Sequence, residues 1–244
     1  MTKESEKMRF VFLILLAGIC TCFGFLIFSG CEKKQAEVPP EISQRKYEGI
    51  IAAVGDSLTE GFGVEEEESY PSLLEKKLHE NGFDFQVVNA GISGETSTGT
   101  LSRINWILNM KPDIVILETG ANDGLRGIDP ALMQKNIDET VRILKENRVV
   151  VILAGMRMVR NLGREYTEKF AGVYPAVAEK HSIGLIPFFL ERVAGEPGLN
   201  QSDGIHPTAE GYKIITETVY EHAVEAIRQW RSKKGAGNAA GYSP

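Results

Sequence analysis

Ser57 lies in the run Gly55-Asp56-Ser57-Leu58-Thr59, directly after the apolar stretch Ile50-Ile51-Ala52-Ala53-Val54. A serine hydroxyl is a weak nucleophile until a base accepts its proton, so its chemistry depends on an imidazole within reach. The chain holds four, His79, His181, His206 and His222. His79 and His222 fall inside predicted helices among charged neighbours and His181 ends another, positions that suit surface roles. His206 differs, because Asp203 lies three residues before it in Asp203-Gly204-Ile205-His206-Pro207. That spacing across a turn lets a carboxylate orient the ring and stabilise an imidazolium, the third role in a serine triad. The same residues also read as a plain turn, with Asp203 or Thr208 capping the helix that follows. The loop alone does not separate the two readings.

Acyl transfer also needs donors for the charge that develops on a carbonyl oxygen. Ser57 offers its own backbone N–H, Gly91 another with no side chain in the way, and Asn122 its amide. Taken singly, Gly91 is equally a turn glycine and Asn122 a loop residue in left-handed conformation. Taken together, they occupy segments of one kind: Asn89-Ala90-Gly91-Ile92-Ser93-Gly94, Gly120-Ala121-Asn122-Asp123 and the Ser57 run are small-residue loops that each hold a polar side chain.

The elements around these loops alternate. Short apolar runs at Ile50–Val54, Phe85–Val88, Ile114–Leu117, Val149–Leu153 and Leu185–Ile186 read as strands. Helical spacing appears over Ser69–Gly82, Ser97–Asn109, Pro130–Glu146, Glu165–His181 and Thr208–Trp230. Strands alternating with helices predict an α/β fold of three αβα layers around a mainly parallel five-stranded sheet, flavodoxin-like in its layout. In such sheets ligands bind outside the carboxyl ends of the strands, where all of these loops fall.

Four segments in order, Gly55-Asp56-Ser57-Leu58, Gly91, Gly120-x-Asn122-Asp123 and Asp203-x-x-His206-Pro207, resemble the blocks of the SGNH, or GDSL, hydrolase family over roughly residues 49–230. Ile92–Ser97, Gly120–Gly127, Asn161–Tyr166 and Ile186–Leu190 are further similar to its bacterial thioesterase I, lysophospholipase and arylesterase branch. The resemblance implies a serine esterase in which Ser57 is the nucleophile, His206 the base and then the acid, and Asp203 its partner. Ser57, Gly91 and Asn122 would form the oxyanion hole, with no cofactor or metal. The Gly-x-Ser-x-Gly elbow of ordinary α/β-hydrolases is absent. Expected substrates are carboxylic esters or thioesters of acyl chains, lysophospholipids among them, with Gly124–Ile128 and Met156–Arg164 as loops for an acyl groove; Met156 and Met158 would equally suit the core. A carbohydrate O-acetylesterase of the same fold is the alternative, and a catalytically idle binding lipoprotein the rival from another class.

Composition bounds the rest. The 244 residues carry 27 Lys plus Arg against 33 Asp plus Glu, a formal charge of −6, and 43% apolar residues. That balance suits one folded domain and excludes an electrostatically driven nucleic-acid binder. All three cysteines, Cys20, Cys22 and Cys31, lie in the first 31 residues, so the domain is expected to use no disulfide. Lys3, Lys7 and Arg9 precede an uncharged apolar run from Phe10 to Gly30, long enough to span a bilayer at about 20 residues. Its end, Ile27-Phe28-Ser29-Gly30-Cys31, resembles a bacterial lipoprotein signal, which implies lipidation of Cys31; Phe28 stands where that signal usually has Leu. An uncleaved transmembrane anchor or a plain secretory signal are the other readings, and all three export the domain. The expected organisation is a signal or anchor at 1–31, a polar tether at 32–47, a hydrolase domain at 48–232 and a flexible tail at 233–244. The expected state is a monomer held at the bacterial envelope, facing periplasm or exterior.

Overall fold

The strands whose residues are apolar on both faces form the centre of the sheet. In the computed structural model, which describes residues 46–158 and 162–240, β1 (Gly49–Gly55), β3 (Ile114–Glu118) and β4 (Val150–Ala154) are buried almost throughout. β2 (Phe85–Gly91) and β5 (Gly184–Ile186) close the two edges and are less covered. The order is β2-β1-β3-β4-β5 and every pairing is parallel. Burial on both faces is what a parallel sheet requires, because its crossover helices must lie above and below it.

The helices divide accordingly. α1 (Ser57–Glu60) is a single turn after β1. A 3₁₀ turn at Glu66–Glu68 leads to α2 (Tyr70–Glu80), which packs against the last helix and β2. α3 (Ser97–Ser102), α4 (Ile104–Asn109), α5 (Ala121–Leu125), α6 (Pro130–Glu146) and α7 (Arg164–His181) follow in turn, with α6 packed on both α3 and α7. α8 (Ala209–Ala240) then runs across β3, β4 and β5 beside α2. The chain moves outward from β1 to β2, then returns to build β3, β4 and β5 on the other side. This reversal makes the gap between β1 and β3 the switch point of the sheet, where the loops after both strands diverge and leave a crevice.

Three departures from the sequence reading have local causes. The helix expected over 97–109 breaks at Arg103, whose guanidinium is turned inward to Glu95 and to the carbonyls of Ala90 and Gly55. The one-turn helices α1 and α5 are too short to show a hydrophobic period. α8 continues to Ala240 rather than stopping near Trp230, since no proline interrupts the run after it. Trp230 itself seals the amino-terminal edge of the sheet, donating from Nε1 to Asp113 Oδ1 at 3.0 Å and meeting Phe85 edge to face at 5.3 Å. Among the described residues no helix is long and apolar enough to cross a membrane. The apolar run 10–30, Cys31 and most of the 32–47 tether lie outside the described residues.

Candidate active site

Gly55 ends β1 and lets the chain turn at once into α1. A Cβ there would stand 2.1 Å from Thr59 Oγ1 and 2.5 Å from Glu118 Oε2, so only glycine fits. Asp56 caps α1, its Oδ1 accepting the Leu58 N–H at 3.0 Å. Ser57 is therefore the first residue of a helical turn, with its hydroxyl at the rim and its own N–H free of the helix.

The partner loop arrives from the far end of the chain. Residues 199–208 form a clip in which the Gln201 N–H reaches the His206 carbonyl at 2.8 Å and the Thr208 N–H reaches Leu199 at 2.9 Å. Gln201 Nε2 also donates to the carbonyls of Phe62, at 2.7 Å, and Pro207, at 3.0 Å, tying the clip to the loop after α1. Asp203 Oδ1 accepts the N–H groups of Ile205 and His206, and Oδ2 accepts from His206 Nδ1 at 2.7 Å. His206 Nε2 stands 2.9 Å from Ser57 Oγ. Both readings of this loop hold at once: Asp203 makes the turn and also pairs with the ring, while Thr208, not Asp203, caps α8 through the Gly211 N–H.

The electrostatics select one tautomer. The His206 hydrogen bond and the two backbone N–H groups hold the Asp203 carboxyl near about 2, so it is an acceptor at neutral pH. Nδ1 must then carry the ring proton, which leaves Nε2 with a lone pair facing the Ser57 hydroxyl. The Phe62 ring covers the imidazole at 4.6 Å between centroids.

A cleft of about 230 Å³ opens over these groups at the switch point. Asn122, in α5, lines it and donates from Nδ2 to Asp56 Oδ2 at 3.0 Å. Asp123 does not face the cleft; fully buried, it holds the N–H and hydroxyl of Ser97 and so fixes the loop after β2 to α5.

Gly91 is the residue that geometry removes from the expected set. Its N–H is donated to Asn89 Oδ1 at 3.0 Å and it does not line the cleft with Ser57. Its lack of a side chain serves packing instead: a Cβ would lie 2.2 Å from the Glu60 backbone nitrogen, where α1 crosses the end of β2. The cleft receives Ser93 and Gly94 from that loop. Gly94 has φ +76°, and its N–H meets no acceptor among the described residues. The signal for Gly94 was present as the second glycine of Gly91-Ile92-Ser93-Gly94, but nothing in the sequence says which N–H is already taken. Met156 belongs to the core and Met158 packs against it, so Leu125 is what the expected groove loops bring to the cleft; residues 159–161 lie outside the described residues.

A serine, an imidazole and a carboxylate hydrogen-bonded in series at the switch point of a five-stranded parallel sheet is an arrangement suited to ester cleavage. A profile of the GDSL-like Lipase/Acylhydrolase family matches residues 53–214, and the chain belongs to that family. It is 39% identical over 180 residues to Esterase TesA of Pseudomonas aeruginosa, covering 73% of this chain and 90% of that protein. It is 35% identical over 168 residues to Thioesterase 1/protease 1/lysophospholipase L1 of Escherichia coli, covering 68% and 79%. The solved structure of psychrotrophic esterase EstA from Pseudoalteromonas sp. superposes with a TM-score of 0.71 at 31% identity, covering 74% of this chain and 99% of that one. The protein is an ester or thioester hydrolase of the SGNH type.

The two glycines differ in what an added methyl group would meet. Gly91→Ala forces a Cβ into the Glu60 backbone and is expected to cost about 1–3 kcal/mol or more, read as a lowered urea midpoint. Gly94→Ala has open space, with Arg126 Nη2 nearest at 3.5 Å, and should cost only the left-handed strain of about 1–2 kcal/mol. Equal midpoints for Gly91→Ala and the wild type would contradict the packing role.

Proposed function

We propose that Ser57 is the nucleophile, His206 the general base and then acid, and Asp203 the carboxylate that orients it. The oxyanion sits among the N–H groups of Ser57 and Gly94 and the Asn122 amide. Ser57 Oγ attacks the acyl carbon while His206 Nε2 takes its proton, and the tetrahedral intermediate collapses as His206 returns that proton to the leaving alkoxide or thiolate. Water, deprotonated by the same nitrogen, then attacks the acyl-serine; the acid leaves and Ser57 regains its proton. The observation that carries this reading is the Asp203-His206-Ser57 series, at 2.7 Å and 2.9 Å.

The acyl portion is apolar and longer than acetyl. Phe62, Leu125 and Ile205 all line the cleft and each keeps two-fifths or more of its surface exposed, which favours alkyl chains over a sugar. Lysophospholipids or acyl esters with similar chains are the substrates in this reading. Its location rests on residues 10–31 alone: Cys31 carries lipid, and residues 32–47 tether a monomeric domain, ending near residue 232, to the bacterial envelope on its periplasmic or outer side.

Purified protein should hydrolyse p-nitrophenyl esters, with kcat/KM higher for hexanoyl than for acetyl; hydrolysis confined to acetyl would favour the carbohydrate deacetylase. Ser57→Ala should lose about 10⁴-fold or more in kcat, and wild-type turnover in that variant would sink the assignment. Acidification should leave the Asp203 carboxylate ionised down to about pH 2, so loss of its charge should contribute nothing to the acid side of the kcat/KM profile above that pH. Wild-type turnover in His206→Ala would likewise remove His206 as the base.

A further inference from the structure

Beneath the turn that carries Ser57 lie two carboxyl groups that the proposed mechanism does not use directly. Glu118 ends β3 with no exposed surface, and Asp56 above it is 1% exposed. Glu118 Oε2 accepts the Asp56 N–H at 3.1 Å and the Thr59 hydroxyl at 3.0 Å. Glu118 Oε1 is buried and meets no donor among the described residues. Asp56 is differently placed: Oδ1 accepts the Leu58 N–H and Oδ2 accepts the Asn122 amide, so both of its oxygens face donors.

Two carboxylates this close and this dry cannot both be ionised. An oxygen with no donor around it is the one that carries a proton, because a hydroxyl donates where a carboxylate oxygen only accepts. We infer that Glu118 is a neutral carboxylic acid that donates its proton to the Asp56 carboxylate, and that this pair is a positioning device holding the Asn122 amide on the oxyanion. Burial raises both groups, and the adjacent Asp56 charge pushes Glu118 well above the usual carboxylate range. The other titratable groups facing the pair are the phenols of Tyr70, Tyr174 and Tyr212, and His206. The hydroxyl of Tyr70 comes within 3.4 Å of Thr59 Oγ1, which in turn bonds Glu118.

The consequence is directional. The Asp56 carboxylate takes one N–H of the Asn122 amide and thereby fixes the plane of that amide at the cleft wall. With Glu118 lost, Asp56 would take up a proton or shift toward a new donor, and the amide would lose its fixed plane. A displacement of about 1 Å in such a donor is enough to cost up to about 10²-fold in rate.

This inference rests on Asn122 as an oxyanion donor, so Asn122→Ala is measured beside the Glu118 variants. Glu118→Gln keeps both an acceptor for the Asp56 N–H and a neutral donor for its carboxylate; it should hold kcat within about threefold. Glu118→Leu should lose about 10- to 100-fold in kcat with KM little changed, and adding it to Asn122→Ala should cost little more. A folded Glu118→Leu with wild-type kcat overturns the inference, as does a Glu118→Gln that falls as far as Glu118→Leu. If Asn122→Ala itself leaves kcat unchanged, it is the oxyanion assignment that fails. Should Glu118→Leu not fold, infrared difference spectra of wild type against Glu118→Gln decide. A protonated carboxylic acid band at pH 7 that disappears in the variant supports the neutral acid, and no such band in the wild type overturns it.

Discussion

Everything in this molecule follows from one strand having neighbours on both sides. β1 pairs in parallel with β2 along its whole length and with β3 from Ile51 to Val54, so Gly55 is level with Gly91, and Val54 with Leu117. Parallel pairing forbids tight hairpins, so each strand must be followed by a crossover, and the three carboxyl ends are left as loops at one level. Ser57, Gly94 and Asn122 sit on those loops. The fourth component comes from a clip 149 residues beyond Ser57, seated by the amino end of α8. The sheet supplies the rigidity, and the loops supply only short reaches from it.

Three carboxyl groups within this small region are held in three conditions. Asp203 lies toward solvent and is surrounded by donors, which keeps it ionised. Asp56 is buried but has a donor for each oxygen. Glu118 is buried with donors on one oxygen only, and burial favours its neutral form. In the proposed site the same functional group therefore orients a base, orients an amide, or sits as a proton donor, according to how much water and how many N–H groups surround it. Arg103 performs the matching task on the other side of the turn, where it pairs with Glu95 and caps the carbonyls of Ala90 and Gly55.

Much of this was legible in the residues. The apolar runs gave the five strands, and Ser57, Asn122, Asp203 and His206 stand out by their position just after strand ends or before the last helix. The error at Gly91 has a physical origin. Glycine type announces close approach, and Gly91 does make one, to the Glu60 backbone; whether its N–H is spent on Asn89 depends on a side-chain rotamer that no sequence pattern encodes. Glu118 was invisible for a related reason. A glutamate at the end of an apolar strand reads as a residue reaching for water, and only the roof formed by Asp56, Thr59 and Tyr70 closes it off. The break at Arg103 likewise depends on where its guanidinium goes, not on helix propensity.

The clip that holds His206 has a temporal meaning as well as a spatial one. Proteins are built from the amino end, and domains fold as units once enough chain has emerged. Ser57, the proposed nucleophile, is therefore synthesised long before His206, its proposed base, and the clip is seated both by Gln201 on the Phe62 carbonyl and by the helix α8 that follows it, which packs on β3, β4 and β5. A chain that ends before residue 206 holds Ser57 without the base of the proposed mechanism. In that mechanism hydrolysis waits until the clip has been made and seated.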